Sequence, residues 1–154
     1  MARQYSRHYL IAHARAEAEA KGIDPHLFLM QISRESGFDQ DENPVGILHL
    51  DENGQPKIIQ AHGIAQIVPD YHPKRLQDDL KHPLTGEPLW AKSRSLDPFD
   101  PLESIEYAAL LMQSRIRTYL GNDSWTYDPS RAYTDNEKKA VREALADYNA
   151  GPDP

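Results

Sequence analysis

The sequence predicts a mainly α-helical domain that carries one small β-hairpin. Apolar residues recur at helical spacing in four long segments, and capping residues precede three of them. One further segment has two short apolar runs on either side of an Asn-Gly pair, which is typical of a tight hairpin turn. The 154 residues are 39% hydrophobic and 27% charged, which is enough for one buried core and predicts a single domain over 1–154.

The first two helices are separated by a short break around Gly22. The first helix is predicted over residues 2–21, where strong helix formers lie between apolar positions, and Gly22 is placed to end it. Asp24 then offers a capping oxygen and is followed by a proline, which is the pattern of a helix start. The second helix therefore runs over 25–36 and ends at Gly37.

The middle of the chain changes from helical to strand-like periodicity. The hairpin is predicted over 47–59, around the Asn-Gly turn. A short apolar segment over 63–68 follows and is closed by a proline. The stretch from there to Asp97 is predicted as loop with one helix over 74–81.

Two capping boxes open the last two helices. Asp100 and Glu103 form the first box, with a proline between them, and the long helix that follows ends at Gly121. Thr134 and Glu137 form the second box, and a Gly-Pro pair terminates the last helix. The buried stripe of the long helix is predicted to consist of Ile105, Ala109, Met112, Ile116 and Leu120.

The acidic composition narrows the classes of partner. Lys and Arg number 17 against 24 Asp and Glu, a net charge of −7, which argues against binding nucleic acid or an anionic membrane surface. No apolar run reaches the length of a transmembrane helix, so no membrane insertion is expected, and Met1–His8 lacks the features of a signal peptide. The chain has no cysteine, which excludes disulfides and thiol chemistry.

The seven histidines raise the question of a metal site. None of them falls in a spacing typical of metal ligands, so the sequence predicts neither a metal nor another cofactor. His62 and His72, on either side of the short apolar segment, are expected to lie at the surface or along a groove.

One carboxylate falls on an apolar helix face. Phe28, Ile32 and Glu35 are spaced i, i+4 and i+7, so the three side chains share one face of the second helix. Burial there, at the negative end of the helix dipole, would raise the pKa of Glu35, as a general acid near neutral pH requires. The alternative from spacing alone is a surface glutamate that faces water at a frayed helix end.

Four motifs resemble those of the SLT-type lytic transglycosylases, which have a lysozyme-like (α+β) fold. They occur in the family's order and together cover residues 23–152. The motifs are Glu35-Ser36-Gly37-Phe38, Gly63-Ile64-Ala65-Gln66-Ile67-Val68-Pro69, Asp97-Pro98-Phe99-Asp100-Pro101 with Ser104-Ile105, and Ala146-Asp147-Tyr148-Asn149-Ala150-Gly151-Pro152.

The sequence also departs from the family pattern. The hairpin occupies a segment between Phe38 and Gly63 that is longer than usual, and it is expected either to border the glycan cleft or to be a surface decoration. The stretches 70–96 and 121–136 are also long. Ala65 replaces the usual Met, and Ser104 replaces the usual Asn. Less chain follows the last motif than in most members, which suggests a domain that is C-terminally shortened or excised from a larger protein.

The resemblance implies an enzyme, a carbon–oxygen lyase that acts on peptidoglycan glycan strands. Such enzymes cleave the β-1,4 bond between N-acetylmuramic acid (MurNAc) and N-acetylglucosamine (GlcNAc) and leave 1,6-anhydroMurNAc ends. Glu35 would be the catalytic residue, first as general acid and then as general base, and the substrate's acetamido group would stabilise the cationic centre. The site of action would be the cell wall, in the periplasm or outside the cell, with a phage virion as one possible setting.

Four further residues match family positions in or beside the substrate groove: Ser36, Gln66, Tyr148 and Asn149. Each also has a structural interpretation. Gln66 would be a satisfied polar group in a short helix, and Tyr148 would be part of the core. Ser36 and Asn149 would satisfy backbone groups at helix ends.

Two other functions are compatible with the sequence. One is a lysozyme-type muramidase, a hydrolase that needs an acidic loop residue in the groove. The candidates are Asp39, Asp41, Glu42, Asp51 and Glu52. The other is a non-catalytic wall-binding or virion structural module on the same fold. The sequence leaves the oligomeric state open.

Overall fold

Four helices and one pair of short strands make up the described part of the chain. The structure is a computed structural model, and it describes residues 4–41, 47–50, 53–59, 64–66 and 100–150, with the backbone alone for both strands and for 148–150. The elements are α1 (Arg7–Ala20), α2 (Pro25–Ser36), β1 (Ile47–Leu50), β2 (Pro56–Ile59), α3 (Pro101–Leu120) and α4 (Asp135–Ala150). For these residues the mainly α-helical class is confirmed.

The first helix begins later than the sequence predicts. Ser6 has an extended backbone, and its hydroxyl oxygen accepts a hydrogen bond from the Tyr9 N–H at 3.2 Å, so α1 begins at Arg7 rather than at residue 2. A serine cap satisfies an N–H group that the first turn leaves without a backbone partner, and it therefore fixes the helix start. The end is as predicted, since α1 stops at Ala20 and Gly22 follows with φ +67°.

Both ends of α2 and of α3 agree with the sequence. Asp24 and Asp100 accept N–H hydrogen bonds at the starts of α2 and α3, each with proline in the first turn. Gly37 and Gly121 end these helices in the left-handed conformation, with φ of 64° and 66°, which glycine adopts without steric cost.

The two strands pair antiparallel in the register that a short turn allows. Ile47 pairs with Ile59 and Leu50 pairs with Pro56, and Gly54 in the connecting turn has φ +77°. This register is centred on Asn53, so the connection is not the two-residue Asn-Gly turn that the sequence predicts, and the positive φ of Gly54 belongs to a longer loop. Whether this strand pair is an insertion relative to related domains stays a prediction.

Helix α3 lies at the centre of the core and packs against both α1 and α4, while α1 also packs against α2. The predicted stripe of α3 is buried up to Ile116, whereas Leu120 is only partly buried. Tyr107, Ala108, Leu110 and Leu111 are buried as well, so α3 is enclosed on more than one face. A helix that is apolar around much of its circumference takes this central position.

The connection between α3 and α4 folds back onto the corner between α1 and α2. The Tyr127 N–H donates to the Gly22 carbonyl oxygen at 2.7 Å. A Cβ atom on Gly22 would lie 2.8 Å from Thr126 Cγ2, so this close approach requires glycine. The Tyr133 hydroxyl donates to Asp24 Oδ2 at 2.9 Å, which ties the loop to the first turn of α2.

Glu137 is the buried polar centre of this connection. Its carboxylate accepts two hydrogen bonds from the Arg131 guanidinium, at 2.6 and 3.0 Å, and one from Trp125 Nε1 at 2.7 Å. The predicted capping box is confirmed, because the Thr134 N–H donates to Glu137 Oε1 at 2.8 Å and the Glu137 N–H donates to Thr134 Oγ1 at 3.1 Å. Hydrogen bonding to Arg131 is the main cause that lowers the pKa of Glu137 to about 2.

Several predicted features lie outside the described residues. These are the helix over 74–81, the loop to Asp97, the flanks of the short apolar segment and the Gly-Pro pair after α4. In the described part of the chain, no helix is both long and apolar enough to span a bilayer.

Replacing Glu137 with glutamine should make stability depend on pH in a defined way. At pH 7 we expect Glu137→Gln to lower the free energy of unfolding by about 1–3 kcal/mol, because hydrogen bonds to a charged group are lost. The ionised Glu137 stabilises the fold above its ordinary pKa of 4.5, and this contribution disappears as pH falls toward 2. The difference between variant and wild type in urea unfolding should therefore shrink over that interval.

Asp135→Asn serves as the control, because it makes the same charge change at an exposed position in the first turn of the same helix. It should cost only a few tenths of a kcal/mol, through the helix dipole. Equal effects of the two substitutions at pH 7 would contradict the structural role of the Glu137 network.

Candidate active site

The site is built on the last turn of α2, a helix that is fixed at both ends. At the start, Asp24 Oδ1 accepts the His26 N–H at 3.0 Å, and Asp24 Oδ2 binds Tyr133. At the end, the Gly37 N–H donates to the Ser33 carbonyl oxygen at 2.7 Å. Because both ends are held, the side chains of the last turn project from a rigid backbone.

Glu35 lies on the apolar face of this helix, as its spacing predicts. Phe28 and Ile32, on the same face, are fully buried in the core, and Glu35 itself is half-buried. Gln31, one turn before Glu35, is only 3% exposed, and its Nε2 donates a hydrogen bond to Glu35 Oε1 at 2.7 Å. This arrangement differs from the alternative interpretation, in which Glu35 is a surface residue that faces water at a frayed helix end.

Burial is the dominant influence on the protonation of Glu35. Desolvation raises the pKa of Glu35 from its ordinary value of 4.5 to about 7. The positive charge of Arg34 and the hydrogen bond from Gln31 act in the opposite direction, but they are smaller. Near neutral pH, the carboxylic acid and the carboxylate are therefore both present in quantity, which suits a group that gives and takes a proton.

Ser36 joins the end of α2 to the short apolar segment. Its hydroxyl donates to the Ile64 carbonyl oxygen at 2.6 Å, and Ile64 and Ala65 are buried. The next residue, Gln66, is partly exposed and lies two positions after this anchor. The structure thus brings the segment that carries Gln66 to the helix end that carries Glu35, with Ser36 as the link.

Two residues close to this link have unusual backbone conformations. Phe38 has φ 61° and Gln66 has φ 54°, the left-handed region that residues other than glycine seldom adopt. Such conformations persist where the surrounding structure imposes them, and they concentrate at functional sites. Gln66 is described as part of a turn over 64–66, and its structural interpretation as a satisfied polar group stays open.

The loop after α2 is held by the N-terminal residues of the described chain. Arg7 Nη2 donates to the Gly37 carbonyl oxygen at 2.8 Å, and the Tyr5 N–H donates to Gln40 Oε1 at 3.1 Å. Gln40 is itself buried. These contacts fix the turn that directly follows Glu35 and Ser36.

The acidic residues of this loop are engaged in local hydrogen bonds. Asp39 Oδ1 accepts the Asp41 N–H at 3.0 Å, and Asp41 Oδ2 accepts the Gln4 amide at 3.2 Å. Both aspartates are exposed. The three other acidic candidates for a second carboxylate, Glu42, Asp51 and Glu52, lie outside the described residues.

The two C-terminal candidates are described only in part. Tyr148 and Asn149 lie in the last turn of α4, but their side chains lie outside the described part of the structure. His62 and His72 also fall outside it. Within the described ranges, no three His, Asp or Glu side chains group as metal ligands would.

Gln31 and Arg7 contact the site but are missed by sequence reasoning. The sequence does contain a signal for Gln31, because it is a polar residue within the apolar stripe of α2. It also lies four residues before Glu35, the spacing at which side chains on a helix meet. Arg7 carries no local signal, because its contact with Gly37 spans 30 residues.

The comparison with protein families agrees with this arrangement. The family model described as Transglycosylase SLT domain matches residues 12–154. The chain belongs to the SLT transglycosylase domain family. No curated protein and no solved structure gives a significant match. The helical architecture is consistent with the lysozyme-like fold of SLT domains, and membership indicates a function on peptidoglycan in the cell wall.

The link made by Ser36 can be tested by its contribution to stability. Ser36→Ala removes the donor to the Ile64 carbonyl oxygen and leaves a buried acceptor without this partner. We expect the free energy of unfolding in urea to fall by about 1–2 kcal/mol. Ser33→Ala, at an exposed position of the same helix, is the matched control and should be neutral or slightly stabilising. If both variants behave alike, Ser36 does not anchor the segment.

Proposed function

We propose that this SLT domain is a peptidoglycan lytic transglycosylase that cleaves the β-1,4 bond between MurNAc and GlcNAc and leaves 1,6-anhydroMurNAc ends. The observation that carries the proposal is the half-buried Glu35, whose pKa is raised to about 7 in the position of the family's Glu-Ser motif. Family membership alone indicates a function on peptidoglycan. The specific reaction is inferred from the chemistry of the Glu35 carboxyl group and from the motifs around it.

Glu35 acts twice in the proposed reaction. In its neutral form it donates a proton to the glycosidic oxygen, and the bond to the anomeric carbon of MurNAc breaks. The resulting carboxylate then takes the proton of the MurNAc C6 hydroxyl, whose oxygen attacks the anomeric carbon and closes the 1,6-anhydro ring. Glu35 ends the cycle protonated, and no water is consumed.

The cationic centre needs stabilisation between these two steps. The neighbouring acetamido group of the substrate can supply it, and cleavage assisted by the substrate needs no second protein carboxylate. The exposed positions and local hydrogen bonds of Asp39 and Asp41 agree with such a mechanism. Water activation by a loop carboxylate, as a muramidase needs, therefore has less support among the described residues.

The other site residues have supporting roles in this proposal. Gln66, with both a donor and an acceptor in its amide, binds an acetamido or hydroxyl group of the glycan. Ser36 sets the distance between Gln66 and Glu35 through its bond to Ile64. Tyr148 and Asn149, which match the family's last motif, contribute to binding the glycan. The chain works as one domain at the cell wall, in the periplasm or outside the cell.

Product analysis tests the proposal directly. Purified peptidoglycan is digested with the protein, and the muropeptides are analysed by mass spectrometry without prior reduction. We expect 1,6-anhydromuropeptides, each one water lighter than the hydrolytic product. Glu35→Gln should lower the rate by at least about 10²–10⁴-fold, because the amide cannot give or take the catalytic proton.

Glu19→Gln makes the same chemical change at an exposed position of α1 and should leave the rate unchanged. A predominance of reducing ends among the products would contradict the transglycosylase activity and indicate a muramidase instead. Glycan binding without any cleavage by the wild-type protein would indicate a non-catalytic wall-binding module. A folded Glu35→Gln variant with near-wild-type turnover would remove Glu35 from the mechanism.

A further inference from the structure

Gln31 is a buried polar side chain on the apolar face of α2. It is 3% exposed and lies one helical turn from Glu35, among residues as buried as Phe28 and Ile32. Burying a long amide side chain costs free energy unless its polar atoms find partners. Its Nε2 finds one in Glu35 Oε1, at 2.7 Å, a distance typical of a hydrogen bond to a charged acceptor.

The i, i+4 spacing makes this contact a property of the helix itself. Residues four apart lie on the same face, so the amide and the carboxyl group meet without the help of a loop. The core holds Gln31 in place, and both ends of α2 are fixed by Asp24 and Gly37. A partner on such a rigid element can restrict the orientation of Glu35 more closely than a mobile partner can.

An amide suits a partner whose protonation state changes during the reaction. Its NH₂ group donates to an oxygen of the carboxylate, and it can equally donate to the carbonyl oxygen of the neutral acid, so the amide keeps its orientation. A cationic partner would favour the carboxylate only, and an aliphatic side chain would bind neither form. Glutamine therefore provides a hydrogen bond in both halves of a cycle in which Glu35 is first an acid and then a base.

The charged groups around Glu35 do not replace this contact. Arg34, on the same helix, is exposed and lowers the pKa of Glu35. Segment 64–66, packed at the end of α2, has no ionisable side chain. Helix α1, packed against α2, brings Arg7 to the Gly37 carbonyl oxygen, and the loop aspartates are exposed.

We propose that Gln31 is a positioning residue for the reaction, which holds the Glu35 carboxyl group in one orientation as it changes between acid and carboxylate. This inference rests on the proposed role of Glu35, but not on which product the reaction yields. Gln31 acts through Glu35 and need not touch the glycan.

The decisive variant is Gln31→Met, which keeps the length of the side chain and removes its hydrogen bonding. We expect kcat to fall about 10–100-fold with little change in KM, the loss typical of a hydrogen bond to a charged group. Removing a donor to the carboxylate raises the pKa of Glu35. Because the alkaline limb of the pH–rate profile reports the pKa of the general acid, this limb should move to higher pH, by about 1 pH unit.

Gln113→Met is the matched control. The Gln113 amide donates to the Lys21 carbonyl oxygen and joins α3 to the end of α1, away from the turn that carries Glu35. This variant should lose stability while keeping the wild-type pH profile and kcat. A Gln31→Met variant that is folded and has wild-type kcat and pH dependence would overturn the proposal.

A measurement on the wild-type protein gives a second test, which can be made even if the Gln31→Met variant does not fold. In ¹H–¹⁵N spectra, the side-chain amide signals of Gln31 should titrate with the same midpoint as the Glu35 carboxyl carbon. Signals that stay constant through that titration would refute the contact.

Failure of this inference can be told apart from failure of the proposed function. Reducing ends among the products would change the assigned reaction but leave the titration of Gln31 and the pH shift of Gln31→Met as expected. If the products are anhydromuropeptides and the Gln31→Met enzyme behaves as wild type, the proposed reaction stands and the positioning role of Gln31 is refuted.

Discussion

Keeping one carboxyl group partly out of water is the constraint on which this site depends. Desolvation outweighs both the charge of Arg34 and the hydrogen bond from Gln31, and it raises the pKa of Glu35 to about 7. That balance requires the last turn of α2 to press its apolar face into the core. Were the helix end to fray, water would reach the carboxyl group and the pKa would return toward its ordinary value.

The rest of the described structure keeps α2 in place. Helix α1 packs along α2, and its first residue, Arg7, binds the Gly37 carbonyl oxygen. At the opposite end, Asp24 is bound by Tyr133, which belongs to the connection that Glu137 organises. The buried network between α3 and α4 thus extends to the start of the helix that carries Glu35.

Much of the fold could be predicted from local signals. Capping residues and glycines mark helix boundaries because they satisfy backbone groups within a few residues, so Asp24, Gly37, Asp100 and Gly121 were predictable. The start of α1 was missed although Ser6 is a local signal of the same kind, because the helical pattern continues to its N-terminal side.

The placement of Glu35 on a buried helix face was predictable, and its tertiary contacts were less so. The apolar spacing around Glu35 identified its face, and the motifs indicated Ser36 and Gln66. The bond from Ser36 to Ile64 and the one from Tyr133 to Asp24 join residues 28 and 109 positions apart, and periodicity has no information on such pairs. The left-handed backbone of Gln66 also depends on tertiary packing. The functional roles of all five predicted site residues stay predictions: Glu35, Ser36, Gln66, Tyr148 and Asn149.

The most direct test of this account is the pKa of Glu35 in the folded protein without substrate. The carboxyl carbon can be followed by ¹³C NMR from pH 3 to pH 9, with Glu35→Gln used to assign its signal. We expect a midpoint of about 7, well above the ordinary value of 4.5. A midpoint near 4.5 would mean that water solvates the carboxylate freely, and it would contradict the claim that burial prepares Glu35 for acid and base chemistry.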